Sequence, residues 1–302
     1  MSLAFLCPGQ GSQNVGMGYD FYHQSDLAKN YFNTANEILD ADIQSIMFEG
    51  PEETLKQTQY TQPALYILSV IIGTLLLENG LKPAAAAGHS LGEYSAYALA
   101  GAFDFETGLT LVKVRAESMQ IAGEEKPGTM AAIIGLDDQT INKLTENVSG
   151  TVVAANYNSP GQVVISGEIE AVEDAMAKAK EAGARMVKQL NVSGAFHSPL
   201  MSSARDNLAE MIDSIEIIDS MIPVYSNVHA KPVTKANDIR SAMIHQLESP
   251  VLWSQTILNM VNDQIDRFIE VGPGRVLQAL CKRIDRSLET SGVEKWEQLD
   301  HV

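Results

Sequence analysis

The chain has 302 residues, of which 45% are hydrophobic and 20% are charged, a balance typical of soluble globular proteins with one large or two smaller domains. Its 21 Lys and Arg residues against 38 Asp and Glu residues give a net charge of −17, which argues against a nucleic-acid partner. The N-terminus lacks a basic segment with a long apolar core, and Cys7 and Cys281 are far apart, so we expect a cytoplasmic protein with no signal peptide and no membrane partner.

The first part of the chain alternates short apolar runs with helical patterns. Residues 3–7 predict a strand, residues 26–39 and 63–77 predict helices, and residues 84–87 predict a second strand followed by a helix over 93–101. Residues 107–122 predict an amphipathic helix. The apolar run at 64–77 is too short for a membrane span and contains polar residues, so we expect a buried helix. The alternation favours an α/β sheet with substantial parallel pairing.

The pattern changes near residue 128 and predicts an inserted domain. Strands at 129–136, 152–157, 162–166 and 184–190, with helices at 139–148 and 171–182, follow the ferredoxin-like order β-α-β-β-α-β. A turn is expected at residues 158–161. Further helices are predicted around 199–215, 238–246, 253–262 and 274–286, and strands at 223–226 and 267–271 are expected to return to the main sheet.

The sequence Gly88-His89-Ser90-Leu91-Gly92 joins a predicted strand to a predicted helix. This arrangement is typical of a nucleophile elbow, in which a tight turn between glycines projects the serine Oγ into a cleft. The pattern also fits a glycine-rich turn in which Ser90 only caps the helix. If Ser90 is a nucleophile, the protein forms a covalent acyl-enzyme.

A nucleophilic serine requires a base, and six histidines are available. His197 lies in a loop of small residues directly before a predicted helix, where an imidazole can be held against a cleft. The alternative is a helix-entry histidine with no catalytic part. The other candidates are less favourably placed: His23, His89, His229, His245 and His301.

Six short motifs occur in one order along the chain: Pro8-Gly9-Gln10-Gly11-Ser12-Gln13, Thr61-Gln62-Pro63-Ala64, Gly88-His89-Ser90-Leu91-Gly92-Glu93, Asn158-Ser159-Pro160, Ala195-Phe196-His197-Ser198 and Glu270-Val271-Gly272-Pro273-Gly274. Together they resemble the malonyl-CoA:acyl carrier protein transacylases of bacterial fatty-acid synthesis. They are also similar to the acyltransferase domains of polyketide synthases. The predicted fold class is α/β: residues 1–127 and 191–302 form an α/β-hydrolase-like large subdomain with a mostly parallel sheet, and residues 128–190 form an inserted ferredoxin-like subdomain.

The resemblance implies a serine–histidine pair without the usual triad acid. Ser90 would attack the thioester of malonyl-CoA, and His197 would act as the general base. The main-chain carbonyl of Gln246 would orient His197 in place of a carboxylate. The backbone N–H groups of Gln10 and Leu91 would form the oxyanion hole.

The resemblance also implies three substrate-binding residues. Arg115, which by position alone is a surface arginine of a helix, would bind the free carboxylate of the malonyl group in a bidentate manner. Phe196 matches the Phe-His pair of malonyl-selective relatives. Asn158 would make a polar contact near the cleft, although turn chemistry explains it equally well. Histidines and cysteines lack ligand spacing, so we expect no metal and no bound cofactor, only malonyl-CoA and CoA as substrate and product.

The second substrate implied by the resemblance is holo acyl carrier protein, which is acidic. A chain at −17 therefore needs a local basic patch to bind it. Arg185 and Lys188 form one candidate group, and Lys282, Arg283 and Arg286 form another. The alternative for both is an ordinary solvated surface.

The resemblance favours a ping-pong acyltransferase that moves malonyl from CoA to the phosphopantetheine thiol of the carrier for fatty-acid elongation. Three alternatives remain: a related transferase of a polyketide pathway, a serine hydrolase with the same elbow, and a non-catalytic partner protein. Arg115 and the lack of a matched triad carboxylate argue against the hydrolase. The presence of Ser90, His197 and Arg115 together argues against a non-catalytic protein.

Overall fold

The structure is a computed structural model that describes residues 2–302. Its strands are β1 (Leu3–Cys7), β2 (Ala85–Gly88), β3 (Gly128–Ile134), β4 (Val152–Ser159), β5 (Gln162–Glu168), β6 (Met186–Gln189), β7 (Val224–Tyr225), β8 (Pro232–Val233), β9 (Arg267–Val271) and β10 (Glu289–Val293). Its α-helices are α1 (Tyr19–Gln24), α2 (Asp26–Leu39), α3 (Ile43–Phe48), α4 (Glu52–Leu55), α5 (Thr58–Glu78), α6 (Gly92–Leu99), α7 (Phe105–Glu125), α8 (Asp138–Glu146), α9 (Ile169–Glu181), α10 (Ser202–Ser214), α11 (Ala236–Gln246), α12 (Trp253–Asn262) and α13 (Val276–Ile284). Short 3₁₀ helices span Pro199–Met201 and Trp296–His301.

The larger sheet positions the serine turn. Its strand order is β10-β9-β1-β2-β7-β8, with all neighbours parallel except the edge strand β8. Strands β1 and β2 are apolar and almost fully buried, as expected for a parallel sheet covered by helices on both faces. The carboxyl ends of β1, β2 and β7 lie side by side, so the loops that carry Gln10, Ser90 and Asn227 meet at one edge.

The long helix α5 is part of the core. It has 21 residues with a mean hydropathy of 1.6 over its most apolar window, and 83% of that window is buried. The prediction of a buried helix is confirmed. The helix begins at Thr58 and includes Pro63, whereas the sequence pattern placed its start at Pro63. Thr61, Gln62 and Pro63, in the first two turns of the helix, are buried.

The smaller sheet has the order β4-β5-β3-β6 with every pair antiparallel. Helices α8 and α9 cover one face with a core that includes Ile141, Val172 and Ile165. The predicted ferredoxin-like order is therefore confirmed, and so is the α/β fold class with its mostly parallel larger sheet. The smaller sheet contacts the segment before α12, where Tyr157 N–H donates to the carbonyl of Val251 at 2.9 Å. The exact subdomain boundaries at 128 and 190 stay a prediction.

Among the differences from the predicted elements, two concern where an element ends and one concerns a strand that the sequence reasoning missed. Strand β4 continues to Ser159, so Asn158 lies in a strand rather than in the expected turn, because pairing with β5 extends to Gln162. The last helix is shorter than 274–286, since Gly274 has a left-handed backbone with φ 81°. Strand β10 was missed because its Thr-Ser-Gly centre has weak strand propensity, and parallel pairing with β9 forms it.

Candidate active site

Ser90 occupies a strained turn between β2 and α6. Its φ is 52°, in the left-handed region that serine rarely adopts. A Cβ on Gly88 would overlap the backbone of Gly92, and a Cβ on Gly92 would overlap the carbonyl of Cys7. The turn therefore requires both glycines, and the strand, turn and helix have the geometry of a nucleophile elbow.

Ser90 and His197 form a hydrogen-bonded pair. The Ser90 Oγ lies 2.8 Å from His197 Nε2, although 107 residues separate them. On the other side of the ring, His197 Nδ1 lies 3.0 Å from the carbonyl of Gln246 and 3.1 Å from that of Ser249. Because a carbonyl can only accept, Nδ1 carries the proton and Nε2 presents its lone pair to Ser90.

His197 is neutral in this environment. Its side chain is buried, and burial lowers the pKa of the imidazole to about 3, with the nearby Arg115 guanidinium as the second cause. The neutral ring is the form that can accept a proton from a hydroxyl group.

Arg115 is a buried cation that faces the serine. Its residue is only 1% exposed, so the interpretation as a surface arginine is wrong. Arg115 Nη1 donates to Gln62 Oε1 at 2.6 Å, and Nη2 donates to Ser90 Oγ and to Gln246 Oε1, each at 3.0 Å. Its guanidinium also lies 5.3 Å from the centre of the Tyr94 ring. Within residues 2–302 no carboxylate forms an ion pair with Arg115, although the buried Glu93 acts on its charge through space. The guanidinium is therefore available to pair with an anionic ligand.

A cavity of about 120 Å³ opens at the serine. Its lining residues come from the smaller sheet, from helices α5 and α7 and from the loops beside both sheets: Gln10, Gln62, His89, Ser90, Leu91, Arg115, Met119, Met130, Asn156, Leu190, Val192, Phe196 and His197. The predicted residue Asn158 lies behind this wall, where its Oδ1 is 2.8 Å from His89 Nε2. Its strand neighbour Asn156 lines the cavity instead.

Two backbone amides have the placement of an oxyanion hole. Leu91 follows the nucleophile directly at the start of α6, and Gln10 lies in the loop after β1. A Cβ on Gly9 would overlap the carbonyl of His89, so glycine allows this loop to press against the serine turn. The N–H groups of Gln10 and Leu91 donate to no protein acceptor within residues 2–302, which leaves both free for a ligand oxygen.

Comparisons with known proteins agree with this geometry. The family model for the acyl transferase domain matches residues 4–297. A malonyl CoA-acyl carrier protein transacylase of Bacillus subtilis is 42% identical over 301 residues, which cover 99% of this chain and 95% of the relative. The transacylase of Escherichia coli K12 is 43% identical over 295 residues, which cover 97% of this chain and 96% of the relative. The chain belongs to the malonyl CoA-acyl carrier protein transacylase family.

Solved transacylase structures share the whole fold. An acyl carrier protein S-malonyltransferase from Vibrio cholerae has a TM-score of 0.96 at 43% identity, with 100% of this chain and 99% of that chain covered. A malonyl-transacylase in complex with a type II polyketide acyl-carrier protein also has a TM-score of 0.96, at 40% identity, with coverage of 99% and 98%. The resemblance predicted from the motifs is therefore confirmed.

Three polar residues of this transacylase site were missed by the sequence reasoning. Gln62 binds Arg115, Asn227 binds the backbone of the serine turn, and Glu93 lies buried beneath it. Gln62 and Glu93 lie within two of the six motifs, which were used only to establish the resemblance to the transacylase family. Asn227 follows β7, which neighbours β2, and parallel strands end at one edge, so topology could have found it.

Proposed function

We propose that the protein transfers a malonyl group from malonyl-CoA to the phosphopantetheine thiol of an acyl carrier protein through a malonyl-Ser90 intermediate. The observation that carries the proposal is the position of Ser90 Oγ, which is within hydrogen-bond distance of both the neutral base His197 and the buried cation Arg115. The names of the relatives support malonyl-CoA and acyl carrier protein as the two substrates. The relative in complex with a carrier protein supports direct contact between the two proteins.

In the first half-reaction, Ser90 Oγ attacks the thioester carbonyl while its proton passes to His197 Nε2. The negative oxygen that develops is stabilised by the N–H groups of Gln10 and Leu91. The carbon–sulfur bond then breaks, and the proton on His197 passes to the sulfur of the departing CoA. In the second half-reaction, the pantetheine thiol gives its proton to His197 and attacks the malonyl ester. The bond between the acyl carbon and Ser90 Oγ then breaks, and His197 returns the proton to Ser90 Oγ, which restores both residues.

Arg115 selects the acyl group through the free carboxylate of malonyl. A guanidinium and a carboxylate form a strong bidentate pair when both are buried, whereas an acetyl group offers no partner. A bound carboxylate also offsets the guanidinium charge, which is the second cause of the lowered pKa of His197. The correct substrate therefore strengthens the base that acts on it.

The remaining predicted residues shape the cavity. Phe196 lines it beside the base, where its ring excludes an α-methyl group from the acyl chain. Asn158 acts through His89, whose ring it holds at the cavity wall. The protein requires no bound cofactor, acts in the cytoplasm and supplies malonyl groups to fatty-acid elongation. Its ferredoxin-like subdomain comprises residues 128–190 inserted into the catalytic subdomain.

Of the two basic groups, the one on β6 is better placed to bind the carrier protein. Lys188 lies two residues before Leu190, which lines the cavity. Leu190 follows β6 directly, and its N–H still donates to the carbonyl of Met130 on β3, so the alternation of faces along the strand continues to it. The group on α13 is engaged elsewhere, because Lys282 donates to the carbonyl of Leu288 and Arg283 donates to Gln162. Lys188→Glu should raise the KM for the carrier and leave that for malonyl-CoA unchanged, whereas Lys282→Glu serves as the control. Equal effects of both variants would contradict this placement.

The proposed function is tested by intact-protein mass spectrometry. Brief mixing with malonyl-CoA should add one malonyl group to the protein, and subsequent addition of holo carrier protein should move it to the carrier. Ser90→Ala should acquire no adduct. Absence of an adduct in the wild type, or loss of it to water at one rate with or without carrier, would refute transfer.

A further inference from the structure

A buried carboxylate lies beneath the serine turn. Glu93, in the first turn of α6, is fully buried. Its Oε1 accepts a hydrogen bond from the Tyr97 hydroxyl at 3.1 Å, and its Oε2 accepts from Gln246 Nε2 at 2.6 Å and from Asn227 N–H at 3.3 Å. Burial raises the pKa of Glu93 to about 7, while these hydrogen bonds oppose the shift. Packing does not explain a carboxylate at this position, because moving a carboxylate out of water costs free energy that an apolar side chain would not.

Gln246 connects Glu93 to the catalytic base. Besides bonding Glu93, its Nε2 donates to the carbonyl of Ser90 at 2.9 Å, and its Oε1 accepts from Arg115 Nη2 at 3.0 Å. The main-chain carbonyl of the same residue accepts from His197 Nδ1. A displaced Gln246 would therefore move the group that orients the imidazole.

Asn227 connects Glu93 to the nucleophile. Its Oδ1 accepts from the Ser90 N–H, and its Nδ2 donates to the carbonyl of Gly88, each at 2.7 Å. These two hydrogen bonds span the turn on which Ser90 is held in its left-handed conformation. The bond from Asn227 N–H to Glu93 fixes the position of the asparagine itself.

We infer that Glu93 is a positioning residue of the acyl transfer, because its carboxylate fixes Gln246 and Asn227, which in turn hold His197 and Ser90. The inference rests on the proposed role of Ser90 as the nucleophile. Glu93 acts as a hydrogen-bond acceptor, since Gln246 and Asn227 both donate to one of its oxygens. A glutamine at this position presents one oxygen to the same two donors and turns its amide toward Tyr97, whose hydroxyl can accept.

The experiment compares the steady-state kinetics of malonyl transfer in wild type, Glu93→Gln and Glu93→Ala. We expect Glu93→Ala to lower kcat by about 10- to 100-fold, because two buried donors lose a charged acceptor. The KM for malonyl-CoA should change by less than about threefold, because Glu93 does not line the cavity. Glu93→Gln should restore kcat to within about threefold of wild type.

Glu270→Gln is the matched control. Glu270 is equally buried, but its carboxylate bonds the backbone of Leu277 and Gln278 at the start of α13, away from the serine turn. This variant should keep the kcat of wild type. If Glu93→Ala does not fold, Glu93→Asp retains the charge but withdraws it by one methylene, and it should lower kcat in the same direction.

A second readout separates this inference from the proposed function. A fluorophosphonate reacts with an activated serine and needs no malonyl group, and its adduct on Ser90 is measured by intact mass. Glu93→Ala should slow this reaction as much as it slows transfer. If wild type transfers no malonyl but the variant still slows phosphonylation, the proposed function fails and the positioning role stands. Equal losses of kcat in Glu93→Gln and Glu93→Ala, or unchanged rates in a folded Glu93→Ala, would overturn the positioning role.

Discussion

Replacing Arg115 with alanine should penalise malonyl transfer far more than acetyl transfer. Arg115 is buried and has no carboxylate partner of its own within residues 2–302, so a bound malonyl carboxylate supplies its counter-charge. Removing one member of a buried, hydrogen-bonded charge pair costs about 2–5 kcal/mol. This corresponds to a loss of roughly 30- to 5,000-fold in kcat/KM for malonyl-CoA.

Acetyl-CoA should lose only the hydrogen bonds that Arg115 Nη2 makes to Ser90 Oγ and to Gln246 Oε1, each worth about 1 kcal/mol, or roughly fivefold, and malonyl-CoA should lose these in addition to the carboxylate pair. The assay is the ratio of kcat/KM for malonyl-CoA and acetyl-CoA with one carrier protein as acceptor. Arg115→Lys keeps the charge but loses the planar fork, so its ratio should lie between those of wild type and Arg115→Ala. Lys113→Ala, two residues earlier on α7, is the control and should keep the wild-type ratio. Equal losses for both acyl groups in Arg115→Ala would refute the role of the guanidinium in selecting malonyl.

Three further predictions follow from the same site. Gly92→Ala should abolish activity, because its Cβ would overlap the carbonyl of Cys7 and displace the turn. The measurement is the rate of malonyl transfer, and a folded variant that remains active would contradict the close approach of Gly92 to Cys7. The acid limb of kcat/KM should lie near pH 3 rather than 6.5, since the buried His197 stays neutral down to its pKa of about 3. The check is kcat/KM measured from pH 4.5 to 8, and a midpoint near 6.5 in that range would show a base with an ordinary pKa. The pKa of Glu93 is raised from 4.5 to about 7 on folding, so between these pH values the folded state binds more protons than the unfolded state. The stability that the protonated Glu93 contributes is therefore lost as the pH rises from 4.5 to about 7. Urea unfolding should therefore show Glu93→Gln gaining about 3 kcal/mol relative to wild type between pH 4.5 and 7, and a pH-independent difference would exclude this linkage.

Local sequence indicated candidates for the parts of the site that depend on local geometry. The glycines beside Ser90 indicated the tight turn, and the small-residue loop before a helix made His197 the best placed of the six histidines, while the family resemblance supplied its role as the base. Their contact could be stated only through family resemblance, because it joins residues 107 positions apart. The same resemblance placed Arg115 in the cleft, whereas helical position alone indicated a surface residue.

The polar support beneath the turn could not be predicted from local pattern. Whether Glu93 is buried depends on the packing of α6 against the sheet, and which donors reach it depends on the loops that meet there. The second carbonyl on His197, from Ser249, has no side-chain signature at all. Strand β10 was missed for a related reason, since pairing with a neighbour rather than its own propensity makes it a strand.

The cavity walls divide between the two sheets in a way that places the reacting groups on one side only. Ser90, Arg115 and His197 belong to the larger sheet and its helices and loops, whereas Met130 and Asn156 belong to β3 and β4 of the smaller sheet. Substitutions on the smaller sheet can therefore reshape the chamber while the reacting groups keep their spacing. The shape of the chamber on the side of Met130 and Asn156 is therefore independent of the groups that carry the reaction.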